Sequence, residues 1–158
     1  LFNILGYKFN GEKYILPKIV ENKNEDKKVI GIENRAGNRW PTKLWNKYDE
    51  LEKILINKGF NVIYFNNRDT MVEYIEDISK VSYIVCGDTL GMHIALGLGI
   101  PTTAIFTCTS PQEIYDYGIL KKVTSKNLDK AFYKTDYIFE AVDTISLEEV
   151  LSSLDLKD

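Results

Sequence analysis

The sequence predicts an α/β domain in which a parallel sheet is covered by helices on both faces. Short apolar runs alternate with stretches whose apolar residues recur at helical spacing. The runs are continuously apolar, which is typical of strands buried on both faces. This strand and helix rhythm favours parallel β-α-β units. A chain of 158 residues is long enough for one such domain with a sizeable core.

Four strands are predicted in the first two thirds of the chain, at residues 29–32, 62–65, 83–86 and 102–106. Helices are predicted after the first three, and their apolar positions are Tyr48, Leu51, Ile54, Leu55, Met71, Ile75, Ile78, Met92, Ala95 and Leu96. Gly59 supplies a stop for the first of these helices. Residues 1–19 are expected to form a short extended or hairpin region around Asn10 and Gly11, and the polar stretch 21–28 is interpreted as a linker.

The pattern weakens after Gly118. Val123 is expected in a last short strand, and residues 127–142 are aromatic and charged without a clear period. A final amphipathic helix is predicted from Leu147, Val150, Leu151 and Leu154. Ser146 is its expected cap, with Glu149 three residues on.

Composition excludes several classes of partner. A net charge of −3 gives no general attraction to nucleic acid or an anionic membrane, so any grip on phosphate must be local. No apolar run approaches the roughly 20 residues of a membrane span, and no secretory signal is visible. Cys86 and Cys108 lack metal spacing and are expected to be buried, reduced thiols. These features favour the cytoplasm, with at most peripheral contact with the inner face of the membrane.

The segment 87–96 is the most informative in the chain. It follows a predicted strand and enters a small-residue helix that contains the only histidine, His93. Helix N-termini present free N–H groups and partial positive charge, so Thr89, Leu90 and Gly91 are candidates to bind phosphate. Asp88 could accept hydrogen bonds from sugar hydroxyls, or orient Lys43 or His93. The structural alternatives are that Asp88 is a helix cap, Gly91 a packing choice and His93 a core residue.

A second loop, residues 34–45, follows the first predicted strand and is locally basic on an acidic protein. Lys43 is the candidate partner of a diphosphate, and Arg35 and Arg39 add positive charge. The alternative is a solvated basic loop with Trp40 and Trp45 packed in the core. Because ligands of parallel sheets bind beyond the carboxyl ends of strands, the two loops together predict a nucleotide-sugar pocket.

Two further loops complete the rim of that pocket. Asp69, after the second strand, could hold ribose hydroxyls or could cap the next helix. Thr109 and Ser110 follow the fourth strand, although the sequence from Ser110 also fits a helix start with Pro111 in its first turn. No Walker loop, dinucleotide fingerprint, metal-ligand spacing or nucleophile elbow is present.

Three motifs in order resemble glycosyltransferase family 9, the ADP-heptose:lipopolysaccharide heptosyltransferases and their relatives. Residues 39–45 resemble that family's lysine loop, and residues 88–95 resemble its Asp-Thr…Met-His-x-Ala segment. Residues 106–114 resemble its Phe-Gly-Pro-Thr-Ser-Pro segment, and Tyr117-Gly118 follows as expected. The resemblance runs from about Val29 to Gly118 and continues more faintly to the last helix.

The resemblance implies the C-terminal, donor-binding half of a GT-B enzyme, a Rossmann-like parallel sheet flanked by helices. Residues 1–28 would then be a crossover or linker remnant, and 29–158 the nucleotide-sugar-binding domain; the first residue, Leu1, fits a fragment of a longer protein. Lys43, Thr89, Leu90 and Gly91 would bind the donor diphosphate, and Asp88 and His93 would lie near the sugar.

The implied reaction is inverting transfer of a heptose-like sugar to a lipopolysaccharide or other surface-glycan acceptor. The resemblance implies that this transfer needs no metal and no cofactor. An ADP-sugar is the favoured donor. The acceptor and the catalytic base are expected from an N-terminal half that this chain lacks, so no catalytic residue is assigned here.

This sequence departs from the family pattern in several places. The stretch between the second strand and the helix at Met71 is very short, Thr107-Cys108 replaces Gly-Pro, and residues 127–137 contain no cysteine. Two alternatives therefore stay open. One is a nucleotide-sugar-binding module without transfer activity, and the other is a different GT-B enzyme such as a nucleotide-sugar epimerase.

Overall fold

A five-stranded, wholly parallel sheet organises the chain, whose computed structural model describes residues 2–16 and 29–154. The strands are β1 (Val29–Glu33), β2 (Asn61–Tyr64), β3 (Tyr83–Gly87), β4 (Thr102–Phe106) and β5 (Leu120–Thr124). Their order across the sheet is β2-β1-β3-β4-β5. The four predicted strands and the expected strand at Val123 are therefore confirmed. The predicted linker at 21–28 lies outside the described residues.

Strand ends differ from the predicted ends by single residues. β1 continues through Glu33, which pairs with Cys86, although its carboxylate breaks the apolar run. β3 continues through Gly87, which pairs with Ile105 of β4. β2 ends at Tyr64, the partner of Ile32, so Phe65 is buried just past the strand. Backbone pairing with the neighbouring strand sets these strand ends, and the polarity of the side chains does not indicate where that pairing stops.

Six α-helices accompany the described strands: α1 (Tyr48–Asn57), α2 (Met71–Ser79), α3 (Leu90–Leu98), α4 (Leu128–Ala131), α5 (Phe139–Val142) and α6 (Leu147–Ser153). The three longest correspond to the predicted helices, and the unpatterned stretch 127–142 forms α4 and α5 around a turn. α6 carries the expected capping box between Ser146 and Glu149.

The core has two layers, one on each face of the sheet. Ile30, Ile32 and Val85 pack with apolar residues of α1 and α6, whereas Ile84 and Cys86 pack with those of α2 and α3. Neighbouring residues of β3 thus point to opposite layers, and every residue of β3 and β4 is buried. This confirms the expectation that continuously apolar strands lie in a doubly covered sheet.

The N-terminal segment adds no strand to the sheet. Residues Phe2–Leu5 form a single 3-10 turn, and residues 7–16 lie outside helices and strands. The hairpin alternative is therefore wrong for this part of the chain, although Gly11 does adopt a left-handed turn conformation with φ of 82°. Residues 17–19 lie outside the described residues.

The strand order places a topological switch between β1 and β3. From β1 the chain crosses to β2 on one side, and from β3 it proceeds to β4 and β5 on the other. The loops leaving β1 and β3 at their carboxyl ends therefore diverge and leave a crevice. Open parallel sheets bind ligands at such a point.

Candidate functional site

The loop that carries Lys43 is fixed to the fold by buried hydrogen bonds. Pro41–Lys43 forms a 3-10 turn in which Thr42 is fully buried. The Thr42 hydroxyl donates to the Asp136 carbonyl and accepts from the Ile138 N–H, both at 2.9 Å. The Thr107 hydroxyl, beyond β4, donates to the Thr42 carbonyl. These bonds hold the backbone from which the Lys43 side chain extends.

The two tryptophans of this loop differ in their surroundings. Trp45 is 2% exposed and donates its indole N–H to the Ile145 carbonyl at 3.2 Å. Trp40 is half-buried and meets the Tyr133 ring edge to face. The core interpretation is therefore right for Trp45 alone.

Lys43 and Asp88 form an ion pair between the β1 loop and the end of β3. Lys43 Nζ lies 3.0 Å from Asp88 Oδ2 and donates to the Asp88 carbonyl at 2.6 Å. The Lys43 and Asp88 side chains are 17% and 16% exposed. Asp88 is not the helix cap, because α3 begins after Thr89 as its N-cap residue.

His93 lies on the other side of Asp88. Its Nε2 is 3.9 Å from Asp88 Oδ1, and its Nδ1 is 2.8 Å from the Tyr14 hydroxyl. Burial lowers the pKa of His93, the nearby Asp88 carboxylate opposes that shift, and Lys43 adds to it. Lys43, Asp88 and His93 are thus brought together, as the sequence predicts, with Asp88 contacting both.

The α3 N-terminus contributes an unpaired hydroxyl. Thr89 makes no side-chain capping bond, and within the described residues its buried Oγ1 has no hydrogen-bond partner. The first N–H groups of a helix have no partner within the helix, so the site offers several donors to an anion. Gly91 packs closely: a Cβ there would lie 2.8 Å from the Tyr74 hydroxyl oxygen and 3.3 Å from Glu33 Cγ. The packing explanation of Gly91 is therefore supported.

A cleft of about 440 Å³ opens beside the α3 N-terminus, within the range for small-molecule sites. Its walls come from the loops after β1 and β2 and from the starts of α2 and α3: Glu33, Arg35, Ala36, Gly37, Asn66, Asn67, Arg68, Asp69, Thr70, Met71, Tyr74, Thr89, Leu90 and Gly91. Lys43, Asp88 and His93 do not line the cleft. They adjoin it through the Asp88–Thr89 peptide bond.

The floor of the cleft holds a buried carboxylate, Glu33, which is 3% exposed. Its two oxygens accept from the Arg35 backbone N–H, from Arg35 Nε at 2.8 Å and from Arg35 Nη2 at 2.6 Å. The Tyr74 hydroxyl also donates to it, and burial followed by that bond raises the Tyr74 pKa. Four donors thus converge on this carboxylate.

Arg35 is held in the cleft from several sides. Beyond its bonds to Glu33, its Nη1 donates to Asn67 Oδ1 at 2.7 Å, and its guanidinium lies 5.5 Å from the centre of the Tyr74 ring. The hydrogen bond to Glu33 raises the Arg35 pKa. This arginine is therefore a positioned cation at the cleft wall, and the solvated-loop interpretation does not describe it.

The other predicted site residues divide into two groups. Asp69 is exposed on the cleft wall and does not cap α2, because Thr70 does so in a capping box with Glu73. Arg39 is exposed, with its guanidinium 5.2 Å from the Trp40 ring centre, and lies outside the cleft lining. Thr109 and Ser110 are also outside it, and the Ser110 hydroxyl donates to Gln112 Oε1. Ser110 precedes a 3-10 turn with Pro111 at its start, which confirms the alternative for that segment.

Sequence reasoning missed Glu33, Tyr74 and Tyr14. A carboxylate ending an otherwise apolar strand was an available signal for Glu33. Tyr74 falls among the apolar positions of α2 and could not be distinguished from core. Tyr14 precedes His93 by 79 residues in an unpatterned segment, and no local signal pointed to it.

Two absences among the described residues concern metals and membranes. Among residues 2–16 and 29–154, no group of three or more His, Cys, Asp and Glu side chains is placed to hold a metal ion. In the same ranges, no helix is both long enough and apolar enough to cross a membrane. Cys86 and Cys108 are both buried and free, as expected.

Comparison with known proteins gives a family match that overlaps part of this site. Residues 68–137 match the family described as glycosyltransferase family 9 (heptosyltransferase), a segment that includes the end of β3, Asp88, Thr89 and His93. No curated protein matches the chain. The match confirms the resemblance for the motifs at 88–95 and 106–114, whereas the loop that carries Lys43 lies outside the matched segment. The parallel α/β sheet is the Rossmann-like arrangement that the resemblance implies.

Proposed function

We propose that this chain is the donor-binding domain of a glycosyltransferase, with residues 29–154 holding a nucleotide diphosphate sugar between the ends of β1 and β3. The observation that carries the proposal is the Lys43–Asp88 pair beside the α3 N-terminus, where the Thr89 hydroxyl is buried without a partner among the described residues. A cation, helix N–H groups and a spare hydroxyl donor suit a diphosphate.

The nucleoside is assigned to the cleft of about 440 Å³. Asp69 lies on its exposed wall and could accept hydrogen bonds from ribose hydroxyls. Arg35, fixed by Glu33 and Asn67, presents a guanidinium to the same space. An ADP-sugar is the proposed donor, on the strength of the family resemblance.

The sugar is assigned to the side of Asp88 and His93. Asp88 Oδ1 faces His93 Nε2 at 3.9 Å, which leaves both groups able to contact a hydroxyl lying between or above them. A carboxylate that accepts and an imidazole that donates are suited to the vicinal hydroxyls of a heptose-like sugar.

The proposed reaction inverts the anomeric carbon. An acceptor hydroxyl oxygen bonds to that carbon, the bond to the diphosphate oxygen breaks, and the hydroxyl proton passes to a base that a second domain supplies. Negative charge develops on the leaving diphosphate, where Lys43 and the α3 dipole stabilise it. That role makes a metal ion unnecessary, and transfer should therefore proceed in the presence of EDTA. The acceptor is proposed to be a lipopolysaccharide or another surface glycan, reached with a second domain.

Calorimetric titration with ADP, UDP and GDP, and then with their sugar conjugates, tests the proposal. Preference for ADP and an ADP-sugar supports the heptosyltransferase-like function, and preference for another base changes the donor while keeping the site. Absence of binding at millimolar concentrations would contradict donor binding by this chain. Binding without transfer, measured with the complete enzyme and an acceptor, would favour a non-catalytic binding module.

A further inference from the structure

The segment 7–16 packs against the part of α3 that carries His93. The Tyr14 and His93 rings meet edge to face, with centres 5.6 Å apart and planes at 84°. Tyr14 and Leu16 also cover Gly97, where an added Cβ would lie 2.7 Å from Leu16 Cδ1. The Tyr117 hydroxyl ties the same segment down by donating to the Glu12 carbonyl at 3.2 Å. Tyr14 is therefore seated by contacts on both sides.

We infer that Tyr14 is a positioning residue that sets the tautomer of His93 and makes this histidine a hydrogen-bond donor toward the sugar side of the site. The Tyr14 hydroxyl lies 2.8 Å from His93 Nδ1, and the opposite nitrogen, Nε2, faces the Asp88 carboxylate. If the Tyr14 hydroxyl donates to Nδ1, the imidazole proton resides on Nε2.

The charge at Asp88 selects this arrangement over its reverse. With the proton on Nδ1, the Nε2 lone pair would point at a carboxylate oxygen 3.9 Å away, which is repulsive. With the proton on Nε2, an N–H dipole faces that oxygen and the Tyr14 proton satisfies Nδ1. The tautomer of a histidine is fixed by the partner of its other nitrogen, and here that partner comes from outside α3.

The other ionisable groups around His93 agree with a neutral ring. Lys43 lies behind Asp88, and Tyr117 packs on the far side of Tyr14. Burial lowers the His93 pKa, so the ring is neutral near neutral pH. Burial, together with Tyr117 and Asp88, raises the Tyr14 pKa, so its hydroxyl keeps the proton that it donates.

The functional consequence rests on the proposed function. His93 Nε2–H would donate to an oxygen of the transferred sugar and would not accept the proton of the attacking hydroxyl. A neutral imidazole with a protonated Nε2 has no lone pair to offer on the side of the site, so His93 is excluded as the base. The tautomer can be measured without any ligand. A wrong inference about the tautomer can therefore be distinguished from a failure of donor binding.

The test is a long-range ¹H–¹⁵N correlation spectrum of the uniformly labelled chain. The sequence contains one histidine, so every imidazole signal belongs to His93. The spectrum is recorded well above the ordinary histidine pKa of about 6.5. We expect the pattern of a protonated Nε2 and an unprotonated, hydrogen-bonded Nδ1. A protonated Nδ1, or an unbiased average of the two tautomers, would overturn the inference.

Two variants separate the Tyr14 hydroxyl from the packing of its segment. Tyr14→Phe removes the donor and keeps the ring, so the Nδ1–H tautomer should gain by about fivefold, the factor expected for one net hydrogen bond. The pKa of His93 should also rise, because the neutral ring loses that bond. Tyr117→Phe removes a hydrogen bond of the same segment and should leave the spectrum as in the wild type. An unchanged spectrum in Tyr14→Phe, or equal changes in both variants, would contradict a specific role for Tyr14.

Discussion

Lys43 Nζ lies 3.0 Å from Asp88 Oδ2 and 2.6 Å from the Asp88 carbonyl oxygen, a contact between residues 45 positions apart. It joins the loop after β1 to the end of β3, across the switch point of the sheet. Asp88 also faces His93, so one carboxylate links the cation of the first loop to the imidazole of α3. The two motifs that stand out in the sequence therefore lie in direct contact in the fold.

Lys43→Ala should weaken binding of a nucleotide diphosphate sugar by more than tenfold, a loss of about 1.4 kcal/mol or more. The substitution removes the cation next to the α3 N-terminus and leaves Asp88 without its partner. Titration calorimetry of the two proteins with the same donor measures the effect. Lys47→Ala is the matched control, because Lys47 bonds to the Ile145 carbonyl and lies 3.8 Å from Asp143. Equal affinities for wild type and Lys43→Ala would remove Lys43 from the diphosphate site.

Asp88→Asn should weaken binding of the sugar nucleotide more than binding of the free nucleotide. The bond from Lys43 to the Asp88 carbonyl survives the substitution, so Lys43 stays near its position. What is lost is the charged acceptor on the sugar side. The comparison needs two titrations of each protein, one with the nucleotide and one with its sugar conjugate. An equal loss for both ligands would mean that Asp88 serves only to hold Lys43.

Glu33→Gln should lower the free energy of unfolding by about 2 kcal/mol, because a buried, multiply bonded carboxylate loses its charge opposite Arg35. Glu33 is 3% exposed, whereas the Arg35 side chain is 33% exposed, so the loss stays below that of a fully buried pair. Urea unfolding gives the value. Glu52→Gln is the control, since Glu52 accepts a single 3.2 Å bond from Tyr64 in a half-buried setting. Equal losses of unfolding free energy in Glu33→Gln and Glu52→Gln would contradict a larger stabilising role for the buried Glu33 carboxylate.

Gly91→Ala should destabilise the protein by about 1 kcal/mol, opposite in sign to the usual gain from alanine in a helix. The added Cβ would lie 2.8 Å from the Tyr74 hydroxyl oxygen. In a Tyr74→Phe background that oxygen is absent, and the same change should cost less. Gly37→Ala provides a control, because no atom lies within 4 Å of a Cβ there. Wild type, the three single variants and the Gly91→Ala, Tyr74→Phe double variant are compared by urea unfolding, and a stabilised Gly91→Ala protein would refute the close packing.

The free energy of unfolding should decrease as the pH is lowered, and part of that decrease should come from His93. Burial lowers the folded-state pKa of His93, so the unfolded chain binds the proton more readily. The contribution of His93 is therefore complete above the unfolded pKa of about 6.5 and is lost as pH falls from there through the folded pKa. Urea unfolding across this range should show a steeper decline for wild type than for His93→Gln. Carboxylates titrate in both proteins and cancel in the difference; parallel declines would contradict a buried, neutral His93.

Much of this fold could be predicted from local pattern. The strands at β3 and β4 and the helices at α1 and α2 follow from continuous apolar runs and helical spacing, since each depends on residues close in sequence. The start of α6 at Ser146 was similarly local, because a capping box is a contact over three residues. The ends of β1 and β3 could not be predicted in the same way, because Glu33 and Gly87 belong to these strands through pairing with a neighbouring strand.

The sequence by itself determined the α/β class, the two candidate site loops and the resemblance to family 9 glycosyltransferases, because apolar period and motif spacing depend on residues that are close along the chain. Only the tertiary structure decided the strand order, and with it the meeting of Lys43 with Asp88. It also decided the buried Glu33–Arg35–Tyr74 cluster and the seating of Tyr14 on His93. These contacts join residues from separate segments, and their energies depend on burial and distance, which neither composition nor local spacing records.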